Sequence, residues 1–241
     1  MCAAFGLRDV RPTDDTIPCV SDAATPSTTS RETSAGEQER QRFLRLVLSN
    51  PVNRAILERG PLLGVPDWWL TAGAVFQTVW NALDGRDPAS GISDYDLFYF
   101  DSTDLSWEAE ETIIQRAAKV FADIDATVEV RNEARVHLWY EQRFGVPAVQ
   151  FTSSRDAIDH FAASTCCYAL TSATDGTIDV YAPHGYQDLF VQRLVPNPVL
   201  APREIYETKA ARWKEHWPNL TVEPWPGTHP PKAAPELLAE H

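Results

Sequence analysis

The segment Asp94-Tyr-Asp-Leu-Phe-Tyr-Phe-Asp101 constrains this chain most, because its aromatic content reads as a β-strand that begins with two carboxylates. Side chains two apart on a strand share a face, so Asp94, Asp96, Phe98 and Phe100 line up together, with the Cα atoms of the two acids roughly 6.6 Å apart. Their charges repel, and a divalent cation would relieve the repulsion. The bland alternative is a solvated turn ahead of a strand, since loops favour Asp. A third acid argues against it: Glu129 lies between Val128 and Val130 in an apolar strand, where burying an unpaired charge is costly. Asp94, Asp96 and Glu129 are therefore the candidate metal-binding and catalytic carboxylates. Hard cations such as Mg²⁺ take oxygen ligands and commonly share a few carboxylates with substrate phosphates, which suits phosphoryl chemistry.

Strands and helices alternate around this segment. Phe43, Leu44, Val47, Ile56 and Leu57 fall at helical spacing within 38–59, with Asn50-Pro51 dividing the run into two helices. A short buried strand is expected at 68–72, a helix from Gly73 to about Gly85, and a longer helix over 102–124 capped at Ser102 or Thr103. A strand at 126–130 follows, then helices at 134–144 and 156–163, and a two-strand element over 167–180 turning at Asp175-Gly176. Helices close the pattern at 186–195 and 202–213. The hairpin makes the sheet mixed, so the fold class is α/β, or α+β, with a mixed sheet flanked by helices.

Residues 1–37 are rich in Ser, Thr, Pro, Asp and Ala and read as a disordered tail. Residues 227–241 are rich in proline and read as a second tail, which leaves 38–226 as the folded domain. The formal charge of −13 argues against a broad electropositive footprint for duplex nucleic acid, and no apolar run approaches a membrane span. With no basic-then-apolar leader and four cysteines in no staple or zinc spacing, a reduced cytoplasmic setting is expected. Cys166-Cys167 reads as buried packing rather than as a nucleophile.

Between the strand at 68–72 and the following helix, Gly73-Ala74 places backbone N–H groups at a helix N-terminus, an arrangement that favours an anion such as a triphosphate. Arg131 and Arg135 follow the Glu129 strand, and Lys209 and Arg212 share a face of the late helix. Each has two open readings, phosphate binding or pairing with this acidic surface.

The turn Ala72-Gly73-Ala74 and the strands at Asp94-Tyr95-Asp96-Leu97 and Val128-Glu129-Val130 resemble the nucleotidyltransferase superfamily with the DNA polymerase β-like fold. Further stretches, among them VEVRNEARVHLWYEQRFG and YAPHGYQDLF, resemble a little-characterised single-domain family of that superfamily over roughly residues 40–226. The resemblance implies transfer of a nucleoside monophosphate from an NTP to an acceptor hydroxyl, dependent on Mg²⁺ or Mn²⁺, with release of pyrophosphate. It implies Asp94 and Asp96 as metal ligands and Glu129 as third carboxylate. The acceptor stays open between a small molecule, a protein side chain and an RNA end. Three departures accompany the likeness: Ala74 stands where Gly or Ser is usual, the gap from Gly73 to Asp94 is longer than is common, and the third carboxylate is Glu rather than Asp. The first motivates an alternative reading as a catalytically silent nucleotide-binding module; a metal-dependent phosphohydrolase using the same carboxylates is a third.

Overall fold

A computed structural model describes residues 28–227, with side chains from residue 35 onward. The chain divides into units Met1–Gly36 and Glu37–His241, and the packing below is that of the second. Most of both expected tails, 1–27 and 228–241, lies outside the described residues. The first helix nonetheless starts at Thr28, inside the stretch expected as tail: α1 is Thr28–Val47, and α2, Pro51–Arg59, follows it. Asn50 caps α2 by accepting from the Val52 N–H, with Pro51 supplying a first-turn residue that needs no N–H partner.

A strand β1 (Trp69–Thr71) leads into α3 (Gly73–Leu83), then β2 (Tyr95–Tyr99), α4 (Trp107–Val120) and β3 (Val128–Asn132). Short helices α5 (Tyr140–Phe144) and α6 (Ser154–Asp159) precede the hairpin β4 (Ala169–Ser172) and β5 (Ile178–Tyr181). The chain continues through α7 (Gln187–Phe190), β6 (Arg193–Leu194), α8 (Arg203–His216) and β7 (Thr221–Val222). Strands run β3-β2-β1-β4-β5, with β2 and β3 parallel and the other neighbours antiparallel, so the sheet is mixed as expected. A separate two-stranded pair joins β6 to β7.

Three elements differ from the sequence-based expectation. Helix α4 begins later, capped by Ser106, whose Oγ accepts from the Ala109 N–H; Thr103 instead serves an Asp101 turn. Residues 133–138 form a 3-10 turn before α5 rather than one helix, and 186–195 shrinks to one helical turn because Arg193 and Leu194 pair with β7. In both places tertiary pairing overrides helical spacing.

Alternation along β2 explains how the sheet sits. Tyr95, Leu97 and Tyr99 are buried and point one way, toward the core. There Asn50 donates to the Tyr95 hydroxyl (3.1 Å) and to Thr78 (3.0 Å), tying α2, α3 and β2 together under the sheet. Trp80 anchors the same side, edge-on to Phe76, Trp213 and Trp217, which fixes α8 against α3. Cys166 and Cys167 are buried thiols, and burial pushes Cys167 up to about 12, so neither is a nucleophile at neutral pH. The opposite face of β2 carries Asp96 and Phe98.

Candidate active site

Register assembles the site. Thr71 of β1 lies beside Asp96 of β2, which lies beside Glu129 of β3, so one row crosses three strands. The row starts at the turn where β1 becomes α3 and ends where β3 opens toward its own loop. Asp94 falls just ahead of β2, and its carboxylate accepts from the Ser93 hydroxyl (2.9 Å). Glu129 sits 3.6 Å from the guanidinium of Arg131 on a half-open surface.

Electrostatics mark Asp96 as the centre. Burial, then repulsion from Asp94 and Glu129, pushes its carboxyl up to about 7, while Lys209 and Arg131 oppose the shift. Lys209 reaches the site from α8, which the Trp213 and Trp217 packing positions. Arg212, one turn on, stands on the exposed side of α8 and does not line the adjoining cavity. Among the described residues, no three or more His, Cys, Asp or Glu side chains gather closely enough to hold a metal ion. The three expected carboxylates are neighbours through register and charge rather than a closed ligand set.

At the other end of the row, strain falls where sequence reasoning did not place it. Ala72, not Gly73, takes the positive φ, with φ 54° and ψ −136°, a region that suits glycine. Both Val75 and Phe76 donate to the Ala72 carbonyl, which starts α3 tightly. The first N–H groups of a helix have no partner within it, so those of Gly73 and Ala74 lie at the α3 N-terminus beside Thr71. Replacing Ala72 by Gly removes the strain and is expected to raise stability by about 1 kcal/mol, a melting-temperature gain of roughly 2–4 °C for a chain of this size. Calorimetry of Ala72→Gly checks this; a lower melting temperature contradicts it.

Beyond Phe98 the same face opens into a cavity of about 600 Å³. Arg131 and Lys209 stand on its wall as well as acting on Asp96, so the cavity adjoins the acidic row. Arg135 also lines it but is committed: it pairs with buried Glu110, donates to the Leu105 carbonyl (3.0 Å) and lies over the Trp107 ring. Glu110 in turn accepts from the Asn132 N–H (2.9 Å), holding the end of β3. Of the two readings open to Arg135, the structure places it in a pair with an acidic residue, Glu110.

Glu133 was not singled out by sequence reasoning. It is 6% exposed, lines the cavity, and makes no hydrogen bond or ion pair among the described residues. Burial and the charge of Asp96 push its carboxyl up to about 8, with Arg131 opposing. No sequence signal pointed to it, because Arg-Asn-Glu-Ala-Arg reads as a polar stretch and only the 3-10 turn rolls Glu133 inward.

A mixed sheet with an acidic row beside a strand-to-helix turn defines a nucleotidyltransferase-type domain. The nucleotidyltransferase family model matches residues 60–222, and the chain belongs to that family. It is also similar to a solved structure described as an NMR structure revealing a CCA-adding enzyme head domain, at 25% identity and TM-score 0.63, over 77% of this chain and 96% of that one. No curated protein matches. Among the described residues no helix is long and apolar enough to cross a membrane.

Proposed function

We propose that this domain transfers a nucleoside monophosphate from an NTP to an acceptor hydroxyl, using Asp94, Asp96 and Glu129 with Mg²⁺ or Mn²⁺. The observation that carries the reading is the row Thr71–Asp96–Glu129, which sets the acids beside the α3 N-terminus. The donor set suits a hard divalent cation in its chemistry: oxygen ligands only, on a carboxylate whose ionisation its two acidic neighbours oppose. When bound, such ions supply charge neutralisation at the phosphate and hold the reacting oxygens.

The chain's own groups do the rest. The N–H groups of Gly73 and Ala74, with Lys209 and Arg131, bind and orient the triphosphate. Glu129 takes the proton of the acceptor hydroxyl, whose oxygen forms a bond to the α-phosphorus as the bond to the β-phosphate oxygen breaks. Pyrophosphate leaves with the electron pair, so the products are the nucleotidylated acceptor and pyrophosphate. Arg135 and Arg212 are assigned no phosphate contact.

A second reading, a nucleotide-binding module without transfer, is favoured by one observation, that Asp94, Asp96 and Glu129 do not close into a cluster among the described residues. Thermal unfolding of the full chain with each NTP, with Mg²⁺ and with chelator, tests the binding common to both. Ligand at one hundred times its Kd adds about 2.7 kcal/mol, which for this length is roughly 5–10 °C. A shift that requires both metal and NTP is expected; no shift with any NTP refutes both readings. Pyrophosphate release in the presence of acceptors separates them.

A further inference from the structure

The cavity beside the acidic row shares Arg131 and Lys209 with the proposed triphosphate site, and it also contains a buried group that the proposed transfer does not use. Among the described residues the Glu133 carboxyl has no hydrogen-bond or ion-pair partner, and it lines a space large enough for a small molecule. The most exposed tryptophans, Trp107 at 55% and Trp139 at 38%, stand on the same wall. An exposed aromatic pair around a buried hydrogen-bonding group is how small-molecule sites combine affinity with orientation.

We infer that this cavity is the acceptor pocket, and that it takes a small ring-bearing alcohol with an N–H or O–H donor that bonds to Glu133. The inference rests on the function proposed above and deepens it. In-line displacement puts the attacking hydroxyl opposite the departing pyrophosphate. The α3 N-terminus stands beside Thr71 on the β1 side of Asp96, and the cavity opens in another direction, along the strands past Phe98 of β2 and Arg131 of β3 to Glu133. Flat aromatic walls favour a ring, and a carboxyl accepts a donor through its carbonyl oxygen whether or not it carries a proton. Glu129, beside Asp96 in the register and two residues before Arg131 of the cavity wall, takes the proton of a hydroxyl presented from the pocket. The formal charge of −13 and the depth of Glu133 favour a small molecule over a polynucleotide.

Free nucleosides carry a ring, a donor edge and hydroxyls, and so serve as probes. The full chain is first titrated with Mg²⁺ and α,β-methylene NTP, then, saturated with both, with adenosine, guanosine, cytidine and uridine, reading tryptophan fluorescence and calorimetric heat. At least one nucleoside is expected to bind with a Kd in the millimolar range or tighter. Glu133→Leu and Trp139→Ala are each expected to weaken that binding about tenfold, with the NTP-analogue affinity and melting temperature of each variant unimpaired. No nucleoside binding, or binding indifferent to both substitutions, overturns the inference while leaving the proposed function standing. Competition between nucleoside and the NTP analogue overturns it too, because the cavity then holds the base of the NTP. An RNA oligonucleotide that binds more tightly than its terminal nucleoside overturns the small-molecule assignment. Failure of the first titration removes the proposed function itself.

Discussion

Asp96→Asn is expected to abolish the metal-dependent thermal shift with NTP and to lower pyrophosphate release by about 10³-fold or more, while the protein folds as well as before. The residue sits at the middle of the row that joins β1 to β3, with Thr71 on one side and Glu129 on the other, and Asp94 two residues before it adds a second like charge. Its charge is held there against burial and two like charges, a cost that no core contact offsets. An amide of the same shape removes a negative charge, so the melting temperature in chelator should equal or exceed that of the wild type. Differential scanning calorimetry in chelator and in Mg²⁺ with NTP reads both halves. An unchanged nucleotide shift refutes the site assignment, and a large loss of stability in chelator shows that Asp96 serves the fold instead.

That a site residue and a core residue can be told apart reflects what was legible in the sequence. The period of two in the β2 segment placed Asp96 and Phe98 on one face and left Tyr95 and Leu97 for the core, and the structure has that division. The mixed sheet followed from parallel-type alternation interrupted by the turn at Asp175-Gly176, where Gly176 takes a φ of 83°. What was not legible depends on contacts far apart in sequence. Ser106 rather than Ser102 caps α4, because Asp101 and Asn132 hold the preceding turn. Arg135 looks like a free cation until Glu110, on another element, is seen to pair with it. Strain on Ala72 and the inward roll of Glu133 are set by how β1 and β3 leave the sheet, for which local composition carries no signal.

Glu133 is also where the fold itself should show the largest dependence on pH. Burial, then the charge of Asp96, pushes its carboxyl up to about 8 in the folded chain, against 4.5 for an exposed glutamate. Below about 4.5 both states hold the proton and pH has no effect through this group. Between 4.5 and 8 the unfolded chain loses the proton while the folded chain keeps it, so stability falls as pH rises, at up to about 1.4 kcal/mol per unit. Above 8 both states are ionised and the penalty stays at its maximum. The groups facing Glu133 are Asp96, which reinforces the shift, and Arg131, which opposes it; Arg135, His160 and Lys209 line the same cavity, and Arg135 is taken by Glu110. Reorientation toward Arg131 and entry of water relieve part of the cost, which leaves an expected effect of about 2 kcal/mol. In chelator, Glu133→Gln should therefore match the wild type at pH 5 and melt roughly 4–8 °C higher at pH 8.5. A variant less stable at pH 8.5 would mean that Glu133 is ionised and paired in the folded chain. A carboxyl kept at this cost, beside the acidic row and with no partner among the described residues, is accounted for by a donor that arrives with a ligand.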